Sequence, residues 1–248
     1  MFTLAGYYQN VDTGGALTYI NALPDQHLRV EGYNIIVPEA LPYLGCIAGG
    51  CSSATQVQFE APSLRRILNP DVYPYSVTTL FNSGSNIMEL WENPLVLTPG
   101  EPVRIRVSEG ASGATDVVGL VWFTDGRVTP VEGEFFTLRC NTSTVTSTFA
   151  WANTSLILTQ TLPAGRYGVV GMGIYGGNII AGRLVFVGLP WRPGVTADTS
   201  LTIARSRYFR FGNLGIWGEF THDQPPTIDL LVAASASAIV FLDLVRLE

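Results

Sequence analysis

The stretch Asp116–Phe123, DVVGLVWF, is an apolar run of strand-forming residues, and Ala238–Leu244, AIVFLDL, repeats its character about 120 residues later. Valine, isoleucine, phenylalanine and tryptophan are enriched in β-strands. A turn signal, Asp125-Gly126-Arg127, follows the first of the two stretches. The second stretch lies close to the last residue of the sequence. Two similar strands, each finishing one half of the chain, indicate an internal duplication.

Further landmarks extend this repeat outward from the two strands. Landmarks of residues 40–123 recur in order in residues 160–245, at offsets between 121 and 127. A period of about 125 residues is too long for a solenoid repeat and suits one small domain. The first 35 or so residues lack a convincing partner around Glu134–Ala152, and chance similarity of two Val/Ala/Gly-rich stretches is the alternative explanation. The matched pairs are Leu41/Leu162, Pro42/Pro163, Tyr43/Tyr167, Ala54/Ala181, Phe59/Phe186, Arg65/Arg192, Trp91/Trp217, Val107/Val232, Ala111/Ala236, Ser112/Ser237, Val118/Val240 and Leu120/Leu242.

Short strand signals dominate the whole chain, and 26 glycines and 15 prolines separate them. No segment sustains a helical apolar period, although Ser63–Leu68 and Ser200–Arg205 are each predicted as a short helical turn. The predicted strands are Leu28–Val37, Gln56–Phe59, Ser76–Phe81, Leu95–Thr98, Val103–Val107, Asp116–Phe123, Glu134–Arg139, Thr144–Ala150, Leu156–Leu162, Gly168–Tyr175, Arg183–Val187, Tyr208–Phe211, Ile228–Ala233 and Ala238–Leu244.

The fold class predicted from this pattern is all-β, with two tandem jelly-roll barrels or sandwiches and little helix. We expect residues 1–126 to form the first jelly roll, with a short N-terminal extension, and residues 127–248 to form the second. A jelly roll is the commonest way to arrange eight strands in a unit of about 110–120 residues.

Composition narrows the classes of function. Hydrophobic residues make up 47% of the chain and charged residues only 14%, which is low for a globular protein. No apolar run reaches 18 residues and no basic, apolar leader is present, so neither a membrane helix nor a signal peptide is expected. We interpret the surplus apolar surface as surface that other copies of the chain bury.

The charged residues are unusual in kind. All 14 basic residues are arginine, which excludes Schiff-base chemistry on a lysine and a P-loop lysine. Arginine suits interface ion pairs, although genomic base composition explains the absence of lysine equally well. The net charge is −6 and the sequence pI is about 4.9. Nucleic-acid binding draws most of its affinity from basic patches, and the basic clusters of this chain are small. We therefore expect no direct nucleic-acid binding.

Signals for catalysis are weak, and we expect no enzyme activity, no cofactor and no metal site. The only histidines, His27 and His222, stand among turn-forming residues. The spacing Gly171–Gly176 matches G-x-G-x-x-G but lies in an all-β context, where close strand packing or a bend is the better explanation. Cys46, Cys51 and Cys140 are interpreted as buried thiols, with a Cys46–Cys51 bridge left open.

Five residues are candidates for an interface. Trp191 and Arg192 lie in a loop bracketed by prolines, where an exposed Trp beside an Arg would anchor a protein contact. Arg205, Arg207 and Arg210 form the densest basic cluster, and the first two would share one strand face. A loop that covers the end of a barrel and a solvated strand face are the respective alternatives.

A duplicated jelly roll with no catalytic apparatus and unusual apolarity resembles the double jelly-roll major capsid proteins. The resemblance rests on architecture and covers nearly the whole chain. It implies a homotrimer with six upright barrels, a pseudo-hexagonal capsomer of an icosahedral virion, made in the host cytoplasm. Its partners would be further copies, a penton protein and, in membrane-containing viruses, an internal lipid layer. At 248 residues both barrels are near minimal, which leaves a minor capsid protein open.

Two other classes of function remain. The first is a carbohydrate- or receptor-binding β-sandwich, such as a phage adhesin or a lectin-like module, in which an exposed tryptophan would bind the ligand. The second is a cupin-like enzyme on the same scaffold, which would need a histidine-rich metal site that two loop histidines cannot supply.

Overall fold

A computed structural model describes residues 1–24, 27–51, 54–64, 69–72, 75–76, 86–110, 113–198 and 207–247. The protein is all-β, as predicted, with 55% of residues in strands and 2% in helix. The only helical turns among these residues are two short 3₁₀ segments, Pro62–Leu64 and Arg207–Phe209. No helix in the described part of the chain is both long and apolar enough to cross a membrane.

The chain divides into two compact units. The N-terminal unit is Leu4–Gly126, and the C-terminal unit combines Arg127–Glu248 with Met1–Thr3. The first three residues belong to the C-terminal unit because they pack there: the Phe2 ring meets Trp217 edge-on, with centroids 5.0 Å apart. The prediction had placed these three residues with the first 126.

Eight strands build the C-terminal unit. Seven of them close into a barrel, because β17 pairs with both β16 and β15, and β18 adds to the free part of β15. The order around the sheet is β17-β16-β19-β14-β13-β20-β15-β18. The strands are β13 (Phe135–Thr142), β14 (Ala152–Leu158), β15 (Arg166–Tyr175), β16 (Ile179–Val185), β17 (Gly194–Asp198), β18 (Gly218–Thr221), β19 (Thr227–Val232) and β20 (Ile239–Arg246).

The N-terminal unit contains twelve described strands, which share one sheet network. Its main path runs β10-β5-β12-β1-β2-β11-β4-β3, and β6 joins through β11, β7 through β6, and β8 and β9 through β5. The strands are β1 (Phe2–Val11), β2 (Thr18–Ala22), β3 (Val30–Glu31), β4 (Asn34–Ile36), β5 (Tyr43–Cys51), β6 (Ala54–Glu60), β7 (Asp71–Val72), β8 (Tyr75–Ser76), β9 (Asn86–Glu89), β10 (Leu95–Val96), β11 (Pro102–Glu109) and β12 (Thr115–Thr124).

The two units share one pairing scheme once the small β3–β4 hairpin is set aside. The first long strand neighbours the last (β1 and β12; β13 and β20), and the second pairs with the last but one (β2 and β11; β14 and β19). The last strand also pairs with the third, as β12 with β5 and β20 with β15. A short parallel pairing on the third strand occurs in both units, from β8 and from β17. The repeat is therefore present in the tertiary structure.

The N-terminal residues are part of this repeat. β1 and β2 occupy the places that β13 and β14 occupy in the C-terminal unit. The sequence comparison finds no convincing partner for this region, whereas the strand pairing provides one. Their sequence similarity to the second half is weak because the apolar side chains of such strands can be exchanged freely while volume and pattern are kept.

Two β-bulges recur at matching places and define the true register of the repeat. One inserts Gly45 into β5 and Val170 into β15, where each strand pairs with the last strand of its unit. The other inserts Thr55 into β6 and Ile180 into β16. Both pairs are 125 residues apart. A β-bulge is a specific feature of a strand pair, so equivalent bulges identify equivalent residues of the two units.

The sequence landmarks are out of this register. In the N-terminal unit a Cβ on Gly119 would lie 3.0 Å from Ile105 of the facing sheet, so Gly119 points inward and Val118 points outward. In the C-terminal unit Ile174 faces Gly182 across the barrel, and its strand partner Val240 therefore points inward too. The side chains of Val118 and Val240, which the sequence comparison matches, therefore point to opposite faces of their sheets. A shift of one residue along a strand moves a side chain to the other face.

Most predicted strands exist, with shifted ends. Tyr208–Phe211 is wrong, because residues 207–209 form a 3₁₀ turn. Thr144–Ala150 is also wrong, since only isolated bridges occur there and the strand begins at Ala152. Leu28–Val37 is split by a turn at Gly32, whose φ is +62°. Most of Ser76–Phe81, the end of Ser63–Leu68 and all of Ser200–Arg205 lie outside the described residues.

Candidate functional site

The five predicted interface residues do not form one site. Arg192 and Arg210 each pair with a different buried aspartate, and Trp191 is half-buried in the loop between β16 and β17. Arg205 lies outside the described residues, and only the backbone of Arg207 is described, in the 3₁₀ turn. The predicted alternation of Arg205 and Arg207 along a strand is wrong for Arg207, because this residue is not in a strand.

Arg192 belongs to a charged cluster around Asp229 of β19. Asp229 is 3% exposed and accepts hydrogen bonds from Arg183 Nε at 3.0 Å, Arg192 Nη1 at 2.5 Å and Asn153 Nδ2 at 2.8 Å. The Arg183 guanidinium also lies 4.1 Å from the ring centre of Trp151. A buried carboxylate is tolerated only with such partners, and here they link the neighbouring strands β14, β19 and β16.

Arg210 belongs to a second cluster, around Asp243 of β20. Asp243 is fully buried and accepts from Arg210 Nε at 2.5 Å, Arg210 Nη2 at 2.9 Å, Thr137 Oγ1 at 2.7 Å and the Phe211 amide at 3.2 Å. The hydrogen bonds to Asp243 raise the pKa of Arg210 and outweigh the opposing effect of burial. The guanidinium is therefore charged at every working pH.

Asp243 sits in the middle of a row that crosses three strands. Thr137 of β13 and Gly171 of β15 are its direct cross-strand partners. A Cβ on Gly171 would lie 2.5 Å from Asp243 Oδ2 and 2.8 Å from Arg210 Cα. The missing side chain thus lets the segment of Arg210 and Phe211 lie directly on the outer face of the sheet.

The same contact explains the G-x-G-x-x-G match. A Cβ on Gly173 would lie 3.3 Å from the Tyr175 ring and 3.5 Å from Arg210 Nη1. Gly176, the third glycine, turns the chain after β15, and its amide donates to the Asp198 carbonyl at 2.8 Å. Gly171 and Gly173 therefore provide close packing on a strand, one of the two explanations that the sequence context indicates.

An aromatic and cationic surface results on this outer face. Phe211 is 52% exposed and has a φ of +52°, a left-handed conformation that is rare for a bulky residue. Arg210 stacks 4.6 Å from its ring centre. Tyr175 and Phe241 meet edge-on at 5.5 Å, and exposed Arg139 is the cross-strand partner of Phe241. We call Arg139, Tyr175, Arg210, Phe211 and Phe241 the Phe211 face.

Most of this face cannot be predicted from the local sequence, although one signal is present. Each of the apolar strands β19 and β20 contains a single aspartate, in TIDLLV and IVFLDLV. An isolated carboxylate in a strand buried on both sides predicts an arginine partner from elsewhere in the chain. The partner itself is not local, because Arg210 precedes Asp243 by 33 residues.

The N-terminal unit carries a different polar cluster, on the outer face of β2, β11 and β6. Arg104 donates to Glu60 at 3.0 and 3.3 Å, Tyr19 donates to the same carboxylate at 3.0 Å, and the Arg104 guanidinium lies 4.1 Å from the Tyr19 ring centre. Tyr33, which is 46% exposed, lies 6.2 Å from Tyr19. Side chains alternate along Val103–Val107: the valines are buried, and the arginines are half-buried on the outer face.

The groups that could support catalysis are scattered. The described residues contain no cluster of three or more His, Cys, Asp or Glu side chains that could hold a metal ion. His222 lines an open depression of about 320 Å³ at one end of the C-terminal unit, and Arg166 and Glu219 line another of about 230 Å³. Cys46 and Cys140 are free and buried, and burial raises the pKa of Cys140 to about 12.

The tryptophans do not form an exposed platform. Trp91, Trp122 and Trp217 are buried, and Trp151 and Trp191 are half-buried.

Comparison of the chain with protein-family models, with curated proteins and with solved structures found no match.

Proposed function

We propose that this protein is a viral coat subunit that self-assembles into trimeric, pseudo-hexameric capsomers of an icosahedral shell. The observation that carries the proposal is the strand pairing that both units share. It supports an interpretation of the chain as two jelly rolls in tandem, the architecture on which the resemblance to double jelly-roll coat proteins rests.

The pairing supports the jelly roll in a specific way. A jelly roll is an antiparallel ribbon in which eight strands pair as first with eighth, second with seventh, third with sixth and fourth with fifth, and the ribbon is then rolled up. The C-terminal unit fits this scheme with the pairs β13–β20, β14–β19, β15–β18 and β16–β17. Rolling would bring the last strand beside the third, as β20 lies beside β15.

The pairing in the N-terminal unit supports the same scheme. β2 pairs with β11 and β6 with β7, while β9 and β10 both pair with β5 in the place of the sixth strand. Closure of the C-terminal unit supports a role in a shell, because a closed barrel leaves few sheet edges open to uncontrolled pairing. The partners under this proposal are further copies, a penton protein and, beneath some shells, a lipid layer, with the virion as its location.

Assembly is the property that tests the proposal. Mass photometry and negative-stain electron microscopy of the purified full chain at micromolar concentration should show trimers with six lobes, or larger shells. A single monomeric species across a hundredfold concentration range would overturn it. Cys46 and Cys140 are buried, and a parallel sample with reductant removes any contribution of Cys51 to assembly.

A receptor- or glycan-binding role is the second candidate, and one observation favours it. Tyr33 presents an exposed ring beside Tyr19 and the charged pair of Arg104 and Glu60, and sugars stack on such aromatic and polar surfaces. A glycan array should then show binding that Tyr33→Ala abolishes. Binding that survives Tyr33→Ala, or no binding at all, would count against this candidate.

A further inference from the structure

We propose that the Phe211 face of the C-terminal unit binds the N-terminal unit of a second copy of this chain. The inference rests on the proposed function, since it identifies the surface through which coat subunits would join. The charges of the two units and the exposure of Phe211 identify the partner of this face.

The two units differ sharply in charge. Leu4–Gly126 contains twelve carboxylates and five arginines, a net charge of −7, whereas the C-terminal unit contains eight carboxylates and nine arginines, a net charge of +1. Two N-terminal units therefore repel each other, and an N-terminal unit is attracted to a C-terminal one. Electrostatic complementarity of this kind selects partners and suppresses wrong pairings.

The Phe211 face concentrates positive charge within its own unit. Exposed Arg139 has no carboxylate partner among the described residues, and Arg210 stays charged while its outer part remains accessible, at 26% side-chain exposure. The carboxylate that neutralises Arg210, Asp243, is fully buried beneath it. A carboxylate of another copy would thus meet arginines and aromatic rings.

The chain holds Phe211 in place at a cost in backbone conformation. Its φ of +52° is unfavourable for a bulky residue, yet the bond from its amide to Asp243 and the stacked Arg210 keep the ring in solvent. Strained backbone persists only where the surroundings over-determine it, and it often marks a functional position. Arginine and aromatic rings are also the residue types that dominate binding hot spots.

The contact inferred here is heterologous, because it joins unlike units. Heterologous contacts generate rings when the rotation closes, so a small cyclic assembly results when each copy offers one face of each kind. An isologous dimer through two Phe211 faces would instead bring the arginines of both copies together.

Phe211→Gly tests the face without harming the fold. Glycine accepts φ of +52° freely, so the variant should unfold at the same or a higher urea concentration, while its assembly constant falls about thirtyfold. Val187→Ser is the matched control, because Val187 is 88% exposed in the same unit and lies outside the face. If Phe211→Gly assembles as well as the wild type, this inference is wrong and the proposed function is unaffected. If the wild type itself is monomeric, both are wrong.

The absence of lysine allows a direct map of the contact. Arg139→Lys introduces the only side-chain amine of the chain, and a carbodiimide joins an amine to a carboxylate with loss of water. In a mixture of ¹⁴N- and ¹⁵N-labelled chains, mass spectrometry should find mixed-isotope links from position 139 to carboxylates of Leu4–Gly126. Links to Arg127–Glu248 of the other copy, or assembled chains without mixed-isotope links, would overturn the inference.

Discussion

Arg210 donates two hydrogen bonds to Asp243, from Nε to Oδ2 at 2.5 Å and from Nη2 to Oδ1 at 2.9 Å. The carboxylate is fully buried on the middle strand of a three-strand row, whereas the arginine arrives from the connection between β17 and β18. This pair therefore fastens residues 210–211 of that connection to the outer face of the sheet. The exposed ring of Phe211 depends on it directly.

Asp243→Asn should destabilise the C-terminal unit. The amide keeps the shape but leaves the Arg210 guanidinium without its counter-charge, and breaking a buried pair in this way costs about 3 kcal/mol. Urea denaturation followed by tryptophan fluorescence measures the loss. Asp223→Asn is the control, since Asp223 lies at the exposed turn after β18, and equal midpoints for the two variants would contradict the prediction.

Gly171→Ala should be costly although it adds one methyl group. The new Cβ would lie 2.5 Å from Asp243 Oδ2 and 2.9 Å from the Phe211 amide nitrogen, so the Arg210 segment must move away from the sheet. We expect a loss of about 2 kcal/mol in the free energy of unfolding.

Gly177→Ala is the matched control for this substitution, because no atom lies within 4 Å of its added Cβ and its φ is not left-handed. Its free energy of unfolding should stay within about 0.5 kcal/mol of the wild type. A Gly171→Ala variant as stable as Gly177→Ala would show that the segment does not lie against β15.

Glu60 should make the stability of the N-terminal unit depend on acid. Burial alone would raise its pKa, but the hydrogen bonds from Arg104 and Tyr19 and the charges of Arg104 and Arg106 outweigh burial and lower the pKa below its usual 4.5. Since the folded-state pKa lies below the unfolded one, the stabilisation is complete above that usual value. It is lost as the pH falls through the folded-state pKa.

Glu60→Gln should remove this dependence. We expect the variant to be about 1 kcal/mol less stable than the wild type at pH 7 and to lose less stability on acidification. Urea midpoints measured from pH 7 down to pH 3 give the comparison, with the exposed Glu39→Gln as control. Parallel curves for the wild type and Glu60→Gln would contradict the assignment.

Cys46 and Cys140 should be unreactive in the folded protein. Both are buried, burial raises the pKa of Cys140 to about 12, and burial together with the charge of Glu89 raises the pKa of Cys46 well above its ordinary value. Because only the thiolate reacts, a Cys51→Ser variant should show no thiol reactive to a disulfide reagent at pH 8. Two thiols should react after unfolding in guanidinium, and a rapid native reaction would contradict the prediction.

Much of the architecture could be predicted from sequence because it depends on local chemistry. Short runs of Val, Ile, Phe and Tyr between glycines and prolines predict an all-β chain, and the two related strands Asp116–Phe123 and Ala238–Leu244 predict a repeat. The strands β12 and β20 that contain them do occupy equivalent places in the two units. The single aspartates of the apolar strands β19 and β20 also indicate buried ion pairs.

The sequence by itself determined the class of structure and its twofold character, whereas only the tertiary structure decided register, pairing and site. Side chains alternate between faces along a strand, so a matching error of one residue at Val118/Val240 reverses inside and outside. The bulges at Gly45 and Val170 reveal this error. Arg210 finds Asp243 by non-local packing, which no periodicity encodes. The Phe211 face exists because glycines at 171 and 173 let that segment lie on the sheet.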